Sequence, residues 1–292
     1  MNKDIRIDWN VGMELTPEAF IHLENQLAEY RLLLRKVQAS KLFGLIPDTD
    51  FKAPVSLVGD TLSLAGLECH ALLQHGLLVD LKREEGMTMK VQSQADCCYL
   101  TIWPADKERR FERDDVPFVE NEYQFGLRTL EELPGTMPLA KMVREDNNWK
   151  IQEDYILPIM TIACSSNMTE MVAAIGSLAT QIICHENFEY LKNHDMVKLL
   201  VEEMGSLDGD QAPKDFVVLC RRLARLLSYA IPELPLNLVD YNPYDIQLFL
   251  NSVCGFLIKV HEVLPTLVIT DFPTAKEEPH EENEIEDECP IL

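Results

Sequence analysis

The pattern of apolar and polar positions changes once along the chain. Up to about residue 160, short apolar runs of the strand type are separated by Gly, Pro and charged clusters. Regular short strands of this kind favour an antiparallel sandwich or barrel-like domain. Beyond residues 154–158, apolar residues recur at steps of three and four, which is typical of amphipathic helices. The pattern therefore predicts an α+β, multidomain chain in which a β-rich part precedes a helical part.

One early helix is expected inside the β-rich part. Thr16 offers a side-chain oxygen that can cap a helix, and Pro17 suits the first helical position, where its missing N–H would be unpaired anyway. From residue 17 to about 39, apolar residues return every three or four positions and form one face. Strands are expected at residues 55–58, 62–64, 72–81, 87–91, 99–103, 123–130 and 139–143, the first two joined by a Gly59-Asp60 turn.

Two polar segments of the β-rich part are candidates for contact with a partner protein. The charged segment at residues 105–115 is interpreted as a solvated loop at the tip of a hairpin, with a partner contact as the alternative. The second segment is the loop end around residues 48–52. The candidate residues in the two segments are Asp48, Lys52, Arg109, Arg110 and Phe111.

Three or four amphipathic helices are predicted in the second part, at residues 168–194, 195–204, 213–230 and 243–263. Their short connections describe an antiparallel helical bundle. The first helix carries a heptad-like apolar seam beside a second apolar stripe, a face wide enough for both a bundle and a partner helix. We expect three chains to bury this seam in a homotrimer, and the predicted interface residues are Met168, Met171, Ile175, Leu178 and Ile182.

These patterns divide the chain into a β-rich domain at residues 1–160, a helical domain that trimerises at 161–265, and an acidic tail at 266–292. Residues 276–288 hold eight acids and one lysine. Because such a composition buries too little apolar surface to offset the entropy of ordering, the tail is expected to be disordered. A solubilising role and a charged docking role both remain open for it.

The net charge argues against binding to nucleic acid or membranes, and the cysteines indicate the cellular compartment. The formal net charge is −23, with 49 acidic residues against 26 basic ones, and such a chain is repelled by nucleic acid and by anionic membrane surfaces. No apolar run approaches the ~18–20 residues of a membrane span. Eight cysteines lie mostly in apolar runs without a Cys-x-x-Cys pair, and no secretory signal is recognised. Reduced thiols in the cytoplasm are therefore expected.

The sequence contains no common catalytic signature. A GxSxG elbow, a phosphate-binding P-loop, a Rossmann glycine fingerprint and an HExxH motif are all missing. The adjacent residues Cys97 and Cys98 would point to opposite faces of a strand, so they are poorly placed to hold one metal ion. We expect no enzyme activity, no cofactor and no metal. A carboxylate-dependent hydrolase on a two-domain α+β scaffold remains an alternative, because acids are so abundant.

Four segments resemble, in order along the chain, the TssK family of the type VI secretion baseplate. The first is W-x-x-G-M-x-L-x-P-x-x-F at residues 9–20, where Ala19 stands in place of the family's usual His. The second begins with FGLIP and continues through LSLAGLECHALLQHGLLVDL. The third runs from MPLAKMV to YILP, and the fourth is LVDYNPYDIQLFLNSVCGFL, in which YNP replaces a common Tyr-x-His entry. Together these segments cover about residues 1–263.

The resemblance implies a different contact for each part of the chain. In TssK proteins a β-rich shoulder contacts the wedge proteins TssF and TssG, a helical neck trimerises, and a head contacts the cytoplasmic parts of the membrane complex. A counterpart of the head is not recognised in this chain, so an envelope contact would use the tail or another adaptor. The implied function is a non-enzymatic trimeric adaptor at the inner face of the inner membrane. A phage-type tail or baseplate adaptor is a further alternative.

Overall fold

The computed structural model describes residues 6–7, 16–18, 20–21, 23–25, 27, 42–113 and 116–266. Within these ranges the strands are β1 (Arg6–Ile7), β2 (Gly44–Leu45), β3 (Val55–Val58), β4 (Thr61–Leu64), β5 (Leu67–Leu72), β6 (Leu78–Arg83), β7 (Met87–Lys90), β8 (Cys97–Arg113), β9 (Val116–Arg128), β10 (Met137–Glu145) and β11 (Asn148–Ile151). The α-helices in the same ranges are α1 (Ser166–Ile183), α2 (His194–Gly205), α3 (Pro213–Ala230) and α4 (Ile246–Val263).

The strands form three antiparallel sheets. The largest has the order β1-β9-β8-β10-β11, and two three-stranded sheets have the orders β2-β5-β6 and β3-β4-β7. The four helices follow, with α1 packed against α2 and α4, and α3 packed against α2 and α4. One continuous cluster of buried apolar side chains extends from the sheets into the helices. The two parts of the chain therefore share a core, and the division at residue 160 stays a prediction about domains.

Several local predictions are confirmed. The hairpin of β3 and β4 pairs Val58 with Thr61 around a turn in which Gly59 has a φ of +58°. Helix α1 begins close to the predicted residue 168, after Ser165, whose side-chain oxygen accepts a hydrogen bond of 3.3 Å from the backbone N–H of Met168; it ends at Ile183, however, and not at the predicted residue 194. Helix α3 covers the predicted residues 213–230. These features depend on a few neighbouring residues, which is why the sequence alone indicates them.

The prediction of a loop at residues 105–115 is wrong up to Arg113. This segment continues β8 and pairs with β9, with Arg109 opposite Glu120 and Arg110 opposite Val119. A register shift between Pro104 and Glu108 separates this outer portion from the rest of the ladder. The side chains at 107–110 are all exposed. Because none of these four side chains faces a core, the segment lacks the apolar alternation by which a strand is recognised.

Two other strand predictions are corrected. The apolar run at 72–81 is not one strand, because the chain reverses between β5 and β6 at Gly76, whose φ is +87°. Strand β11 was not predicted, although it follows a hairpin turn in which Asp146 and Asn147 both adopt positive φ. Consecutive left-handed residues are the requirement of a type I′ turn, and an Asp-Asn pair satisfies it.

Two predictions lie partly or wholly outside the described residues. The described positions from Pro17 to Leu27 are helical, and the remainder of the predicted early helix, up to residue 39, is not described. Phe20 and Leu27, which belong to the predicted apolar face, are exposed. The tail from residue 267 onward also lies outside the described residues.

Strand β2 is attached to the segment that leads into the helices. The N–H of Leu45 donates to the carbonyl of Pro158 at 2.9 Å, and the N–H of Met160 donates back to the carbonyl of Leu45 at 3.1 Å. Gly44 adopts a φ of +112°, and a Cβ at this position would overlap the carbonyl group of Pro158. A glycine is therefore required here both by its conformation and by the close approach of the two backbones.

We predict that Gly44→Ala destabilises the protein far more than Gly59→Ala. Both glycines have positive φ, but a Cβ at Gly59 would meet open space. Gly59→Ala should lower the free energy of unfolding by about 1–2 kcal/mol, the penalty for a left-handed residue. Gly44→Ala should lower it by at least about 3 kcal/mol, because steric overlap with Pro158 is added. Urea unfolding of both variants measures the difference, and equal losses would contradict the close approach.

Candidate functional site: interaction surfaces and the joint behind them

A buried carboxylate joins the largest sheet to the last helix. Asp245 directly precedes α4, and its Oδ2 accepts hydrogen bonds from the Tyr99 hydroxyl at 2.7 Å and from Lys141 Nζ at 2.6 Å. Tyr99 lies on β8 and Lys141 on the neighbouring β10, and all three residues are buried. The contact therefore fixes the start of α4 against two adjacent strands.

The chemistry of this joint depends on all its members being present. An isolated buried charge is strongly unfavourable, whereas a lysine and a carboxylate in direct contact compensate each other. Burial, reinforced by hydrogen bonding to Asp245, raises the pKa of the Tyr99 hydroxyl. That hydroxyl consequently remains protonated and continues to donate to the carboxylate. Lys141 Nζ also lies 5.8 Å from the centre of the Tyr99 ring, within cation–π range.

A second set of bonds holds the loop that precedes α4. The Tyr155 hydroxyl donates to the carbonyl of Tyr244 at 2.7 Å. The Tyr244 hydroxyl accepts from the N–H of Gly135 and donates to Gln74, both at 3.3 Å. Burial raises the pKa of Tyr155 well above its ordinary value, with a further contribution from the charge of Asp245. The joint is thus a connected polar network at the boundary between sheet and helices.

The predicted partner-contact residues of the β-rich part lie in two places, around Lys52 and on the outer part of β8. Lys52 is exposed and pairs with Glu68 through two backbone hydrogen bonds of 2.8 Å and a side-chain contact of 3.7 Å. Lys82 Nζ binds the other carboxylate oxygen of Glu68 at 3.0 Å. The hydrogen bond from Lys82 lowers the pKa of Glu68. Asp48 is exposed, in a turn where it adopts a positive φ.

Lys82 also lines a groove of about 500 Å³ between β6 and the hairpin of β8 and β9, which we call the polar groove. Arg109 lies on its opposite wall, together with Asn121 and Glu122. The structure therefore brings Lys52 and Arg109 toward one face of the molecule, through Glu68 and Lys82. Arg110 is exposed on the same strand as Arg109, and the side chain of Phe111 lies outside the described part of the chain.

The sequence analysis missed a histidine–aspartate contact beside this groove. His70 Nδ1 lies 2.7 Å from Asp80 Oδ1, and the two residues are direct cross-strand partners in β5 and β6. Asp80 is buried and borders the polar groove. Recognising the turn at Gly76 would have given this pairing, because the register of a hairpin follows from its turn.

Two further groups of the β-rich part, Cys69 and Glu132, have shifted pKa values. Burial and then the charge of Asp80 raise the pKa of the Cys69 thiol to about 12, which keeps it protonated and weakly nucleophilic. Glu132 has a lowered pKa because the backbone and side chain of Thr129 donate hydrogen bonds to it. Within the described ranges, no three His, Cys, Asp or Glu residues are grouped closely enough to hold a metal ion. The mixed charges of the groove suit recognition of a polar protein surface.

The predicted trimer seam on α1 requires a correction. Met168, Ile175 and Ile182 are buried by their own chain, which excludes a direct contact between copies at these three side chains. Met171 and Leu178 are half-buried and pack against the same core. A bundle core and an oligomer interface produce the same three-and-four spacing, so the sequence could not distinguish them.

Helix α4 is an exception to the expectation that no apolar run approaches the length of a membrane span. By length and composition, Ile246–Thr266 is apolar enough to cross a membrane. The side chains of Phe249, Val253 and Leu257 are fully buried in the shared core, and a core helix of a soluble protein has the same composition. Leu248 and Ile258 lie on the other side of α4 and are exposed. The helix therefore has a core face and an outer apolar stripe.

Comparison with known proteins identifies the fold. No family model matches the chain, and no curated protein matches its sequence. One chain of the type VI secretion TssK–TssF–TssG baseplate subcomplex aligns with 88% of this chain and 98% of its own length, at 14% identity and a TM-score of 0.59. A crystal structure of TssK aligns with 91% of this chain and 70% of its own, at 13% identity and a TM-score of 0.54.

A third structure, TssK from EAEC in complex with a nanobody, covers 82% of this chain and 99% of its own, at 14% identity and a TM-score of 0.56. The class defined by these matches is an α+β fold of antiparallel sheets and helices found in type VI secretion baseplate structures. Within that class the chain has a TssK-like fold, as the four sequence segments predict. At these identities the likeness establishes the fold alone.

We predict that the buried pair of the joint is far more important for stability than an exposed pair. Lys141→Met leaves Asp245 charged and buried, and should lower the free energy of unfolding by about 3–5 kcal/mol. The control is Lys150→Met, because Lys150 and Glu145 also meet at 2.6 Å but are more than half exposed. That change should cost less than about 1 kcal/mol.

A combined variant tests the reason for the loss. Tyr99→Phe, Lys141→Met and Asp245→Leu together remove every polar member of the contact and should recover most of the stability, because no unpaired group remains. Urea unfolding at pH 7 measures all the variants. A loss for Lys141→Met as small as that for Lys150→Met would show that Asp245 has access to water.

Proposed function

We propose that the protein is a non-enzymatic structural subunit of a type VI secretion baseplate, in the position of TssK. The observation that carries the proposal is the extent of the fold likeness. It spans 91% of the chain in one TssK crystal structure, sheets and helices together, rather than one widespread domain. The four sequence segments that resemble the family, in the same order, support the same role independently.

The β-rich part would act as the shoulder that holds wedge proteins of the TssF and TssG type. This follows the subcomplex in which those proteins occur with TssK. The face that carries Lys52, Lys82 and Arg109 is our candidate for the contact. In a chain of net charge −23, exposed basic residues around a mixed-charge groove supply local complementarity to an acidic surface. Complementarity of this kind governs specificity and the rate of association.

The helical part would act as a neck that joins three copies. The outer stripe of α4, with Leu248 and Ile258 exposed, and the half-buried Leu178 of α1 are the apolar positions available for this contact. Helices α1 and α4 pack against each other, so both would contribute to the contact. Three shoulders on one neck would raise the effective concentration of the second and third wedge contacts.

The adaptor would sit in the cytoplasm, at the inner face of the inner membrane, through the assembled apparatus. Its net charge opposes direct association with anionic lipid, so the attachment to the envelope would pass through proteins. The acidic tail or a separate adaptor would make this contact. Catalysis has no part in the proposed role, which is multivalent attachment.

Binding to purified wedge proteins tests the proposal. The full chain should bind a TssF–TssG complex from the same secretion system, and Arg109→Glu combined with Lys52→Glu should weaken the affinity at least tenfold, or about 1.4 kcal/mol. Lys150→Glu is the control for each single variant, Arg109→Glu and Lys52→Glu, because it makes the same change of charge at an exposed residue on β11. Absence of binding by the unaltered chain would contradict the function, whereas equal binding by all variants would move the contact to another surface.

Light scattering tests the trimer. The unaltered chain should have three times its 33.4 kDa mass, and Leu178→Glu should yield folded monomers. Ile175→Asp should instead unfold the chain, because Ile175 is fully buried in its own core. Circular dichroism distinguishes the two effects. A stable monomer of the unaltered chain at micromolar concentration would contradict the proposed neck.

A further inference from the structure

A groove runs between helices α2 and α3, on side chains that the proposed trimer contact does not use. It has a volume of about 460 Å³, and we call it the helix groove. Its lining residues are Met196, Leu199, Leu200, Glu203, Arg222, Arg225 and Leu226. Four of these seven residues are apolar and two are arginines, which gives the groove an apolar floor and a basic wall.

The apolar floor is unusually accessible to solvent. Met196 is 53% exposed and Leu199 is 65% exposed, on the outer side of α2. Val218 and Tyr229 extend the apolar surface along α3, where they share a face with Arg222 and Arg225 through steps of three and four residues. Contiguous exposed apolar surface of this kind marks a place where another segment binds.

The charges of the helix groove specify the chemistry of that segment. Arg222 lies 3.8 Å from Glu203, and both are about half exposed. Arg225 is exposed and forms no ion pair with any residue in the described part of the chain. An occupant that combines acidic side chains with a few apolar ones would satisfy both the arginines and the floor.

The chain itself contains such a segment. Residues 267–292 carry nine acids and one lysine, with apolar residues at 267–269, at 272 and at 285. The eight acids of 276–288 are the densest acidic run in the sequence. This segment matches the basic wall by charge and the floor by its interspersed apolar residues.

The point at which this segment begins is close to the helix groove. The described chain ends at Thr266, and the carbonyl of Leu264 accepts a hydrogen bond of 3.0 Å from Asn187 Nδ2. Next to Asn187, the ring of Phe188 lies 6.4 Å from the ring of His194, the first residue of α2. The segment therefore leaves the helices at the end where α2 starts and Met196 lies.

The segment of residues 267–292 is long enough to reach the helix groove. Twenty-six extended residues span up to about 85 Å, whereas the groove-lining part of α2, from Met196 to Glu203, is roughly 10 Å long. Attachment to the same chain gives such a segment an effective concentration in the millimolar range. A weak contact is then sufficient to keep the groove occupied.

We propose that residues 267–292 fold back and occupy the helix groove of their own chain. Their apolar residues cover Met196 and Leu199, and their carboxylates neutralise Arg222 and Arg225. This inference goes beyond the baseplate role and does not depend on it. It assigns the acidic segment a binding site, and any partner that uses either the groove or the segment must first separate them.

Hydroxyl-radical footprinting of the full chain tests the occupancy. Met196 and Leu199 should react more slowly with hydroxyl radicals than their exposed fractions would predict, because the segment covers them. The internal reference is Val58, which is 79% exposed at a hairpin turn. Replacing Glu281, Glu282, Glu284 and Glu286 by Gln should raise the labelling of both residues several-fold. Arg222→Glu with Arg225→Glu should have the same effect. Lys259→Glu, at an exposed position of α4, should have none.

Cross-linking identifies which chain supplies the segment. Arg225→Lys keeps the charge and provides an amine that a carbodiimide can join to glutamates of residues 277–288. Mixed ¹⁴N- and ¹⁵N-labelled protein should give products within one isotope only. Products that mix the isotopes would assign the groove to a second copy and overturn the proposal. Labelling of Met196 that is equal in all variants would also overturn it, as would protection that appears only after wedge proteins are added.

Discussion

The arrangement of sheets and helices depends on one buried carboxylate. Asp245 has no access to bulk water, so its charge must be compensated by Lys141 and Tyr99, which belong to adjacent strands. Hydrophobic contacts tolerate small displacements, but a buried ionic contact loses its compensation within a few ångströms. The first turn of α4 is therefore tied to a defined position on the sheet. Helix α4 in turn packs against α1 and α3, so the position of the helical part follows from this contact.

Local chemistry explains which elements could be predicted. Pro213 begins α3 and Gly59 forms the turn of a hairpin, and each signal is contained within a few residues. The outer part of β8 could not be recognised, because its exposed charged residues carry no apolar alternation and its strand conformation depends on pairing with β9. The missed turn at Gly76 has a related cause. A strong apolar run on both sides concealed a single residue with positive φ.

In the candidate sites too, local features could be predicted from the sequence, whereas contacts between distant residues could not. Lys52 and Arg109 were found because exposed charges are visible in a sequence, although their proximity to one groove through Glu68 and Lys82 was not. Asp245 could not be distinguished from 48 other acids, since its importance arises from partners about 100 or more residues away. In the trimer seam, by contrast, the sequence pattern was clear but has two structural explanations. Met168, Ile175 and Ile182 formed a convincing stripe, but the stripe belongs to the core of their own chain.

Among the described residues, the outer stripe of α4 and the helix groove are apolar surfaces outside this core, and they differ in charge. The outer stripe of α4, with Leu248 and Ile258, has Asn251, Gly255 and Lys259 as neighbours. The helix groove between α2 and α3 instead places two arginines beside its floor. Two copies of that groove would repel each other through these arginines, whereas an acidic segment is attracted to them. In a protein with a net charge of −23, the C-terminal segment has both the composition and the point of departure to bind there. Electrostatics therefore supports the proposed contact of the helix groove with the acidic segment of the same chain.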